Sequence, residues 1–154
     1  PFENIRFYLG IYSLPEDTWA ERTAWIMEVA RLADVRNRLT RDLPPGWRQR
    51  LALGCALLHR PKIIFLDEPT SGVDPLTRRH FWDFIEKLAG EGVTVFVTTH
   101  YMDEARNCRR LALINEGRIA AMGSPDDIVR EALPGKKRGT LNEAFIALMD
   151  RKTP

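Results

Sequence analysis

An α/β fold with a parallel sheet is predicted by three features of this 154-residue chain. Residues 1–60 carry apolar side chains at helical spacing. Two short runs further on, Ile63–Leu66 and Val93–Thr99, are continuously apolar or β-branched, as strands are. One helix-length segment separates those runs, so strand, helix and strand follow in the order of a βαβ unit. Its two strands should be parallel, joined by a right-handed crossover. A content of 44% hydrophobic and 29% charged residues fits an ordinary globular chain, long enough for one substantial core.

The elements read as follows. Thr18 and Glu21 form a capping-box pattern just after a break at Pro15. Behind it Trp25, Val29 and Leu32, and likewise Ile26, Ala30 and Ala33, recur at helical spacing. A break at Leu43-Pro44-Pro45-Gly46 precedes a second helix from about Trp47 to His59, apolar nearly all round from Leu51 to Leu58 and therefore expected to be buried. Ile63–Leu66 reads as a strand of a sheet covered on both faces. Asp74 and Pro75 supply an N-cap and a first-turn proline for a helix with Phe81, Phe84, Ile85 and Leu88 on one face, ending at Gly90. After Val93–Thr99 come a short helix near Tyr101–Asn107 and strands of about 110–115 and 118–121. These flank Glu116-Gly117 as a hairpin. Ser124-Pro125 and Thr140 with Glu143 open two further helices, the last with Leu141, Ala144, Phe145 and Leu148 as its buried stripe. The expected division is 1–60 helical, 61–128 sheet-containing core and 129–154 helical tail.

Composition narrows the function classes. Lys and Arg number 23 against 21 Asp and Glu, a net charge of +2, without the clustered basic excess of a nucleic-acid binder. The run Lys136-Lys137-Arg138, set between glycines, reads as a solvated loop. Two cysteines, Cys55 and Cys108, make neither a disulfide framework nor a zinc site, which suits a reducing, cytosolic setting. No apolar run approaches the ~18 residues of a membrane span, and no secretory leader is visible. The chain opens on Pro1 with a helical pattern already under way, as though excised from a longer protein.

Chemistry concentrates in Lys62–Pro75, KIIFLDEPTSGVDP. A strand ending in the paired acids Asp67 and Glu68 lies at the sheet edge where α/β proteins bind ligands. Adjacent strand residues face opposite ways, so the two acids take different roles. One carboxylate orients a hydrated magnesium ion and the next handles the water that attacks a nucleotide phosphate. The plain alternative is an acid pair capping a turn before Pro69. His100 ends the next strand, level with the acids if the strands are neighbours; it contacts a γ-phosphate or is merely a polar terminus. His59 and His80 take the plainer reading of helix-end and helix-flank residues. Arg48 and Arg50 near the start of the second helix oppose its dipole, which an anion there would relieve; equally, they are two solvated arginines.

The order of these segments resembles the ATP-binding cassette (ABC) ATPases, a branch of the P-loop NTPases, across the whole chain. Leu43-Pro44-Pro45-Gly46-Trp47 resembles the family signature LSGGQ, Ile63–Glu68 the Walker B strand, Ser71–Pro75 the D-loop and His100 the switch histidine. The resemblance implies ATP and Mg2+ as cofactors, Asp67 as the metal-side carboxylate and Glu68 and His100 as catalytic residues. It also implies that Gly46, Trp47, Arg48, Ser71 and Asp74 border the nucleotide. The signature departs from the pattern: Pro44 and Pro45 stand for serine and the first glycine, and Trp47 for glutamine, so a degenerate site in an asymmetric pair of cassettes fits best. The phosphate-binding loop GxxxxGK[ST] occurs nowhere, and the only glutamine is Gln49, inside the signature helix. The Walker A part is thus absent, and the chain alone should bind ATP poorly. The strand that carries that loop in the family adjoins the strand ending in His100, so an open edge and self-association are expected.

Phe2-Glu3-Asn4-Ile5 with Tyr8 to Tyr12 resembles the segment after the Q-loop of exporter cassettes. The ending Thr140-Leu-Asn-Glu-Ala-Phe is similar to bacterial drug- and polysaccharide-export proteins, and LPPGW with EPTSGVDP to those with two cassettes in one polypeptide. The implied partners are a second cassette and a transmembrane permease, the implied place the cytoplasmic face of the membrane, and no nucleic acid is expected. The alternatives are a soluble ribosome-associated cassette protein, a DNA-repair or chromosome-maintenance ATPase, and a regulatory cassette. The second needs a long coiled coil, which residues 1–40 do not show. Retention of Glu68 and His100 argues against the third.

Overall fold

The computed structural model describes residues 1–136 and 138–150. Lys137 of the basic run and the last four residues of the expected tail lie outside the described residues. The chain divides into two compact units, Pro1–Thr98 and Thr99–Pro154.

The first unit begins with three helices, α1 (Phe2–Ile11), α2 (Trp19–Val29) and α3 (Pro45–Leu57). Ile5, Leu9, Ile26, Leu32, Leu57 and Leu58 are fully buried and form its core. The capping box expected at Thr18 does not form. Glu16–Thr18 is already a 3₁₀ turn leading into α2, so Thr18 has helical dihedrals and its hydroxyl donates to Pro15 O at 2.7 Å. Glu21 instead meets Arg60 at 2.6 Å on the surface. Ala33 is exposed, because α2 ends at Val29 and the helical spacing no longer applies. In α3 the prolines start the helix rather than precede it: Pro44 is the N-cap and Pro45 the first helical residue, where a missing N–H costs nothing. Ile26 Cγ2 lies 2.8 Å from where a Gly54 Cβ would sit, so α2 and α3 pack as closely as a bare backbone allows.

Strand β1 (Ile63–Asp67), helix α4 (Pro75–Gly90) and strand β2 (Thr94–Thr98) form the expected βαβ unit. The strands are parallel, with Ile63 opposite Thr94 and Asp67 opposite Thr98. Asp74 caps α4 by accepting from the Leu76 and Thr77 amides at 3.1 and 3.0 Å. Phe81, Phe84, Ile85 and Leu88 are buried, as their spacing predicts. The expectation that β1 is covered on both faces fails. Ile64 is buried, but Phe65 is 77% and Ile63 51% exposed, and Phe65 stacks on the exposed Phe96 ring at 5.1 Å. Only one face of this two-stranded sheet meets a helix layer within the unit, so alternate residues stay in solvent.

The second unit contains α5 (Met102–Ala105), the hairpin β3 (Leu111–Asn115) and β4 (Arg118–Gly123), α6 (Pro125–Ala132) and α7 (Leu141–Asp150). Glu116 and Gly117 both have positive φ, 47° and 75°, the requirement of a type I′ turn. Ala105, Leu113, Ile128, Ala132, Leu141 and Ala144 form the core. Both expected helix starts are realised. The Ser124 hydroxyl accepts from Asp127 N at 3.2 Å, and Thr140 with Glu143 closes a reciprocal box at 2.9 and 3.2 Å.

Three helix-start carboxyls are held below their ordinary pKa. Asp74 is held by Thr77, Asp127 by the Ser124 hydroxyl and then Arg130, and Glu143 by Lys136 and then the Thr140 amide. A carboxyl with a depressed folded pKa stabilises the fold above its unfolded value, about 4. That contribution disappears as pH falls through the folded value. Thermal unfolding followed from pH 7 to pH 3 should therefore show Tm falling below about pH 4. The Asp74→Asn, Asp127→Asn and Glu143→Gln variants should each flatten the fall.

Candidate functional site

The β1/β2 register places Asp67 directly across from Thr98. The Thr98 hydroxyl donates to Asp67 Oδ1 and accepts from the Glu68 amide at 3.1 Å. The Thr98 carbonyl takes the same Glu68 N–H at 3.1 Å. Glu68 has φ of 42°, a left-handed conformation that costs a non-glycine residue on the order of 1 kcal/mol or more. Two acceptors on one amide hold the chain in that turn. Asp67 and Glu68 are both exposed, a pair of accessible carboxylates on an anchored strand end. Thr98 was not singled out in the sequence, where it is one of several β-branched residues. Only the pairing register reveals it.

Beyond Glu68 the chain folds back on itself. Ser71 N donates to Glu68 O at 3.1 Å, while Thr70 and Val73 are buried and anchor the loop. Gly72 has φ of 70° with open space around it. Ser71 is exposed, and Asp74 commits Oδ1 to the cap of α4.

The start of α3 offers a reduced anion cradle. Pro44 and Pro45 have no N–H, and the Trp47 and Arg48 amides both donate to Pro44 O, at 3.0 and 3.2 Å. Among the described residues the Gly46 N–H alone in this turn has no acceptor. A Cβ on Gly46 would lie 2.1 Å from Thr77 Cγ2, so the glycine lets the first turns of α3 and α4 touch. Trp47 is half-buried and Arg48 exposed. Arg50 corrects the reading of two solvated arginines, since it is only 7% exposed, with its guanidinium 5.2 Å from the centre of the Trp47 ring.

His100 belongs to the second unit. Strand β2 ends at Thr98, two residues short of it, so His100 lies in the turn before α5 and does not end the strand. Its ring centre is 4.0 Å from that of Tyr101. Thr99 ties this turn, donating to Glu104 Oε2 and accepting from Tyr101 N, both at 3.1 Å. The fold thus joins Asp67, Glu68 and Ser71 in one turn, and Gly46 to the helix that Asp74 caps.

The fold is shared with ATP-binding subunits. Over 95% of this chain and 60% of the other, it superposes with a TM-score of 0.76 and 26% identity on a solved ATP-binding subunit of an ABC transporter. A second solved structure, cbiO1 from Clostridium perfringens, described as part of the ABC transporter complex cbiONQ, gives the same TM-score over 86% of this chain and 57% of its own. A family model described as "ABC transporter" matches residues 2–71, and one whose description begins "AAA domain" matches 46–102. The chain is 45% identical over 148 residues to a probable multidrug ABC transporter ATP-binding protein, YbhF, of Escherichia coli. It is 38% identical over 153 residues to Nod factor export ATP-binding protein I of Cupriavidus metallidurans. It spans 26% of the first relative and 50% of the second. These likenesses define a P-loop NTPase of the ATP-binding-subunit class. The chain is thus similar to the ABC transporter ATPase domain, from the helical segment through strand β1 and beyond.

The Gly46–Thr77 contact is testable. Gly46→Ala should destabilise the chain by roughly 1–3 kcal/mol through overpacking. Thr77→Ser, which removes the opposing methyl, should recover part of that loss in denaturant titrations. A glycine held only for anion contact would leave stability unchanged.

Proposed function

We propose that this chain is the Walker B, D-loop and switch-histidine portion of an exporter's ATP-hydrolysing cassette. It would work with a second cassette and a transmembrane permease at the cytoplasmic face of the membrane. The observation that carries the reading is the accessible Asp67–Glu68 pair, anchored by Thr98 at the C-terminal end of a parallel strand. The names of the relatives, multidrug and Nod factor export proteins, support the exporter class. Among the described residues no helix is long and apolar enough to cross a membrane.

The residues present suit the metal half of an Mg–ATP site. Magnesium retains most of its waters and is held by one or two carboxylates, so an exposed Asp67 with one oxygen anchored by Thr98 fits it without a three-ligand cluster. Bound Mg2+ neutralises charge on the phosphates. Asp67 would hold that ion through water, and Glu68 would orient and deprotonate the attacking water. His100 would contact the γ-phosphate, with Ser71 and Asp74 bordering the nucleotide. Gly46, Trp47 and Arg48 would face the partner cassette's nucleotide. With one free amide in its first turn, this signature makes the weaker of two composite sites. The phosphate loop would come from sequence outside this chain, and an in-frame loop immediately upstream of Pro1 is the direct check.

In the polypeptide that contains both the phosphate loop and this chain, Glu68→Gln should lower ATP turnover by ~10²–10⁴-fold with ATP binding retained. Thr98→Val should raise the Mg2+ concentration needed for half-maximal rate. Undiminished turnover in Glu68→Gln would sink the assignment of the base.

The exposed Ile63–Phe65–Phe96 face supports self-association of the chain when produced alone. Sedimentation should show a concentration-dependent oligomer that Phe65→Ser with Phe96→Ser shifts to monomer. A monomer at all concentrations would count against it.

A further inference from the structure

A cavity of about 290 Å³ opens within the first unit, between the end of α2, the middle of α3 and the outer turns of α4. Arg31, Arg50 and Lys87 line it together with Glu28, Asp83 and His80. None of these residues belongs to the strand end at Asp67 or to the first turn of α3.

Arg50 is the unusual member. It is 93% buried, taking its 7% exposure from the whole, yet among the described residues it makes no hydrogen bond or ion pair, only the contact with the Trp47 ring. An unpaired guanidinium on so buried a side chain is costly, because its donors and charge lose part of their water, although its nitrogens keep some contact with solvent. Its neighbours add to the cost. Burial and the charge of Arg31 both push the Arg50 pKa down, offset in part by Asp74 outside the cavity. Glu28 and Asp83 do not compensate, since neither forms an ion pair with Arg31, Arg50 or Lys87. Arg31 reaches this position from a left-handed backbone just beyond the C-cap of α2, at φ of 52°, where glycine is the usual choice. Two arginines converging on a hollow, one buried and unpaired, are the arrangement that a planar oxyanion relieves through paired N–H donors.

We propose that this cavity binds a small oxyanion, phosphate or a carboxylate, between Arg50 and Arg31, with Lys87 at the rim. A volume of about 290 Å³ admits an inorganic phosphate or a small carboxylate. The site is separate from the nucleotide reading and does not rest on it.

The test is calorimetric titration and thermal unfolding of the chain with inorganic phosphate and, separately, acetate, against chloride at equal ionic strength. Saturable binding is expected. Arg31→Ala and Lys87→Ala should weaken it several-fold, and Arg50→Met at least ten-fold. If Arg50→Met does not fold, Arg31→Ala carries the test. Glu28→Gln and Asp83→Asn should tighten binding by relieving repulsion. Arg48→Ala and Arg6→Ala should leave it unchanged. A preference for phosphate points to a free ion, and a preference for acetate to a carboxylate-bearing ligand. No saturable binding, or binding lost in Arg48→Ala and kept in Arg31→Ala, overturns the proposal; the latter would place the anion at the start of α3.

Discussion

The parallel pairing of β1 with β2 is the constraint on which the candidate site depends. Parallel strands cannot be joined by a tight turn, so α4 must cross over between them. The crossover requires a clean helix start, supplied by Asp74 and Pro75. The same pairing sets Thr98 across from Asp67, where one hydroxyl serves both the carboxylate and the next amide. Glu68 keeps its left-handed turn because its N–H is held twice. A slip of one residue would turn Thr98 to the other face and dissolve the arrangement.

The start of α3 shows two demands on one turn. Prolines at the N-cap and first helical positions make a stable helix start and at the same time remove the donors that would recognise an anion. Gly46 matches the family signature, as Leu43 does, yet its environment already requires a glycine: Thr77 occupies the space of a side chain. Agreement with a motif and a role in packing coincide at this position. The motif by itself is therefore weak support for phosphate contact there.

Much of the fold was legible in the sequence because it rests on local chemistry. The change of period at Lys62, the caps at Asp74, Ser124 and Thr140, and the Glu116-Gly117 turn are each written in a few adjacent residues, and each appears in the structure. The misreadings were of two kinds. Thr18 with Glu21 matched a capping box, but the preceding turn was already helical, which a spacing rule does not register. Ile63–Leu66 read as covered on both faces because composition reports hydrophobicity and says nothing of whether a covering layer lies within the same chain.

The candidate acids Asp67 and Glu68, the loop that follows them and the resemblance to ABC ATPases were legible in the sequence alone, since they form one contiguous run with a distinctive order. Tertiary structure decided what depends on residues far apart in the chain. It paired Thr98 with Asp67 across 31 positions, set Gly46 against Thr77, and ended β2 before His100. It also buried Arg50 beside Arg31 with the Trp47 ring against it and no ion pair or hydrogen bond among the described residues. The physical reason is the same in each case. Register, close approach and desolvation are properties of two segments in contact, and a pattern read along one segment carries no information about the other.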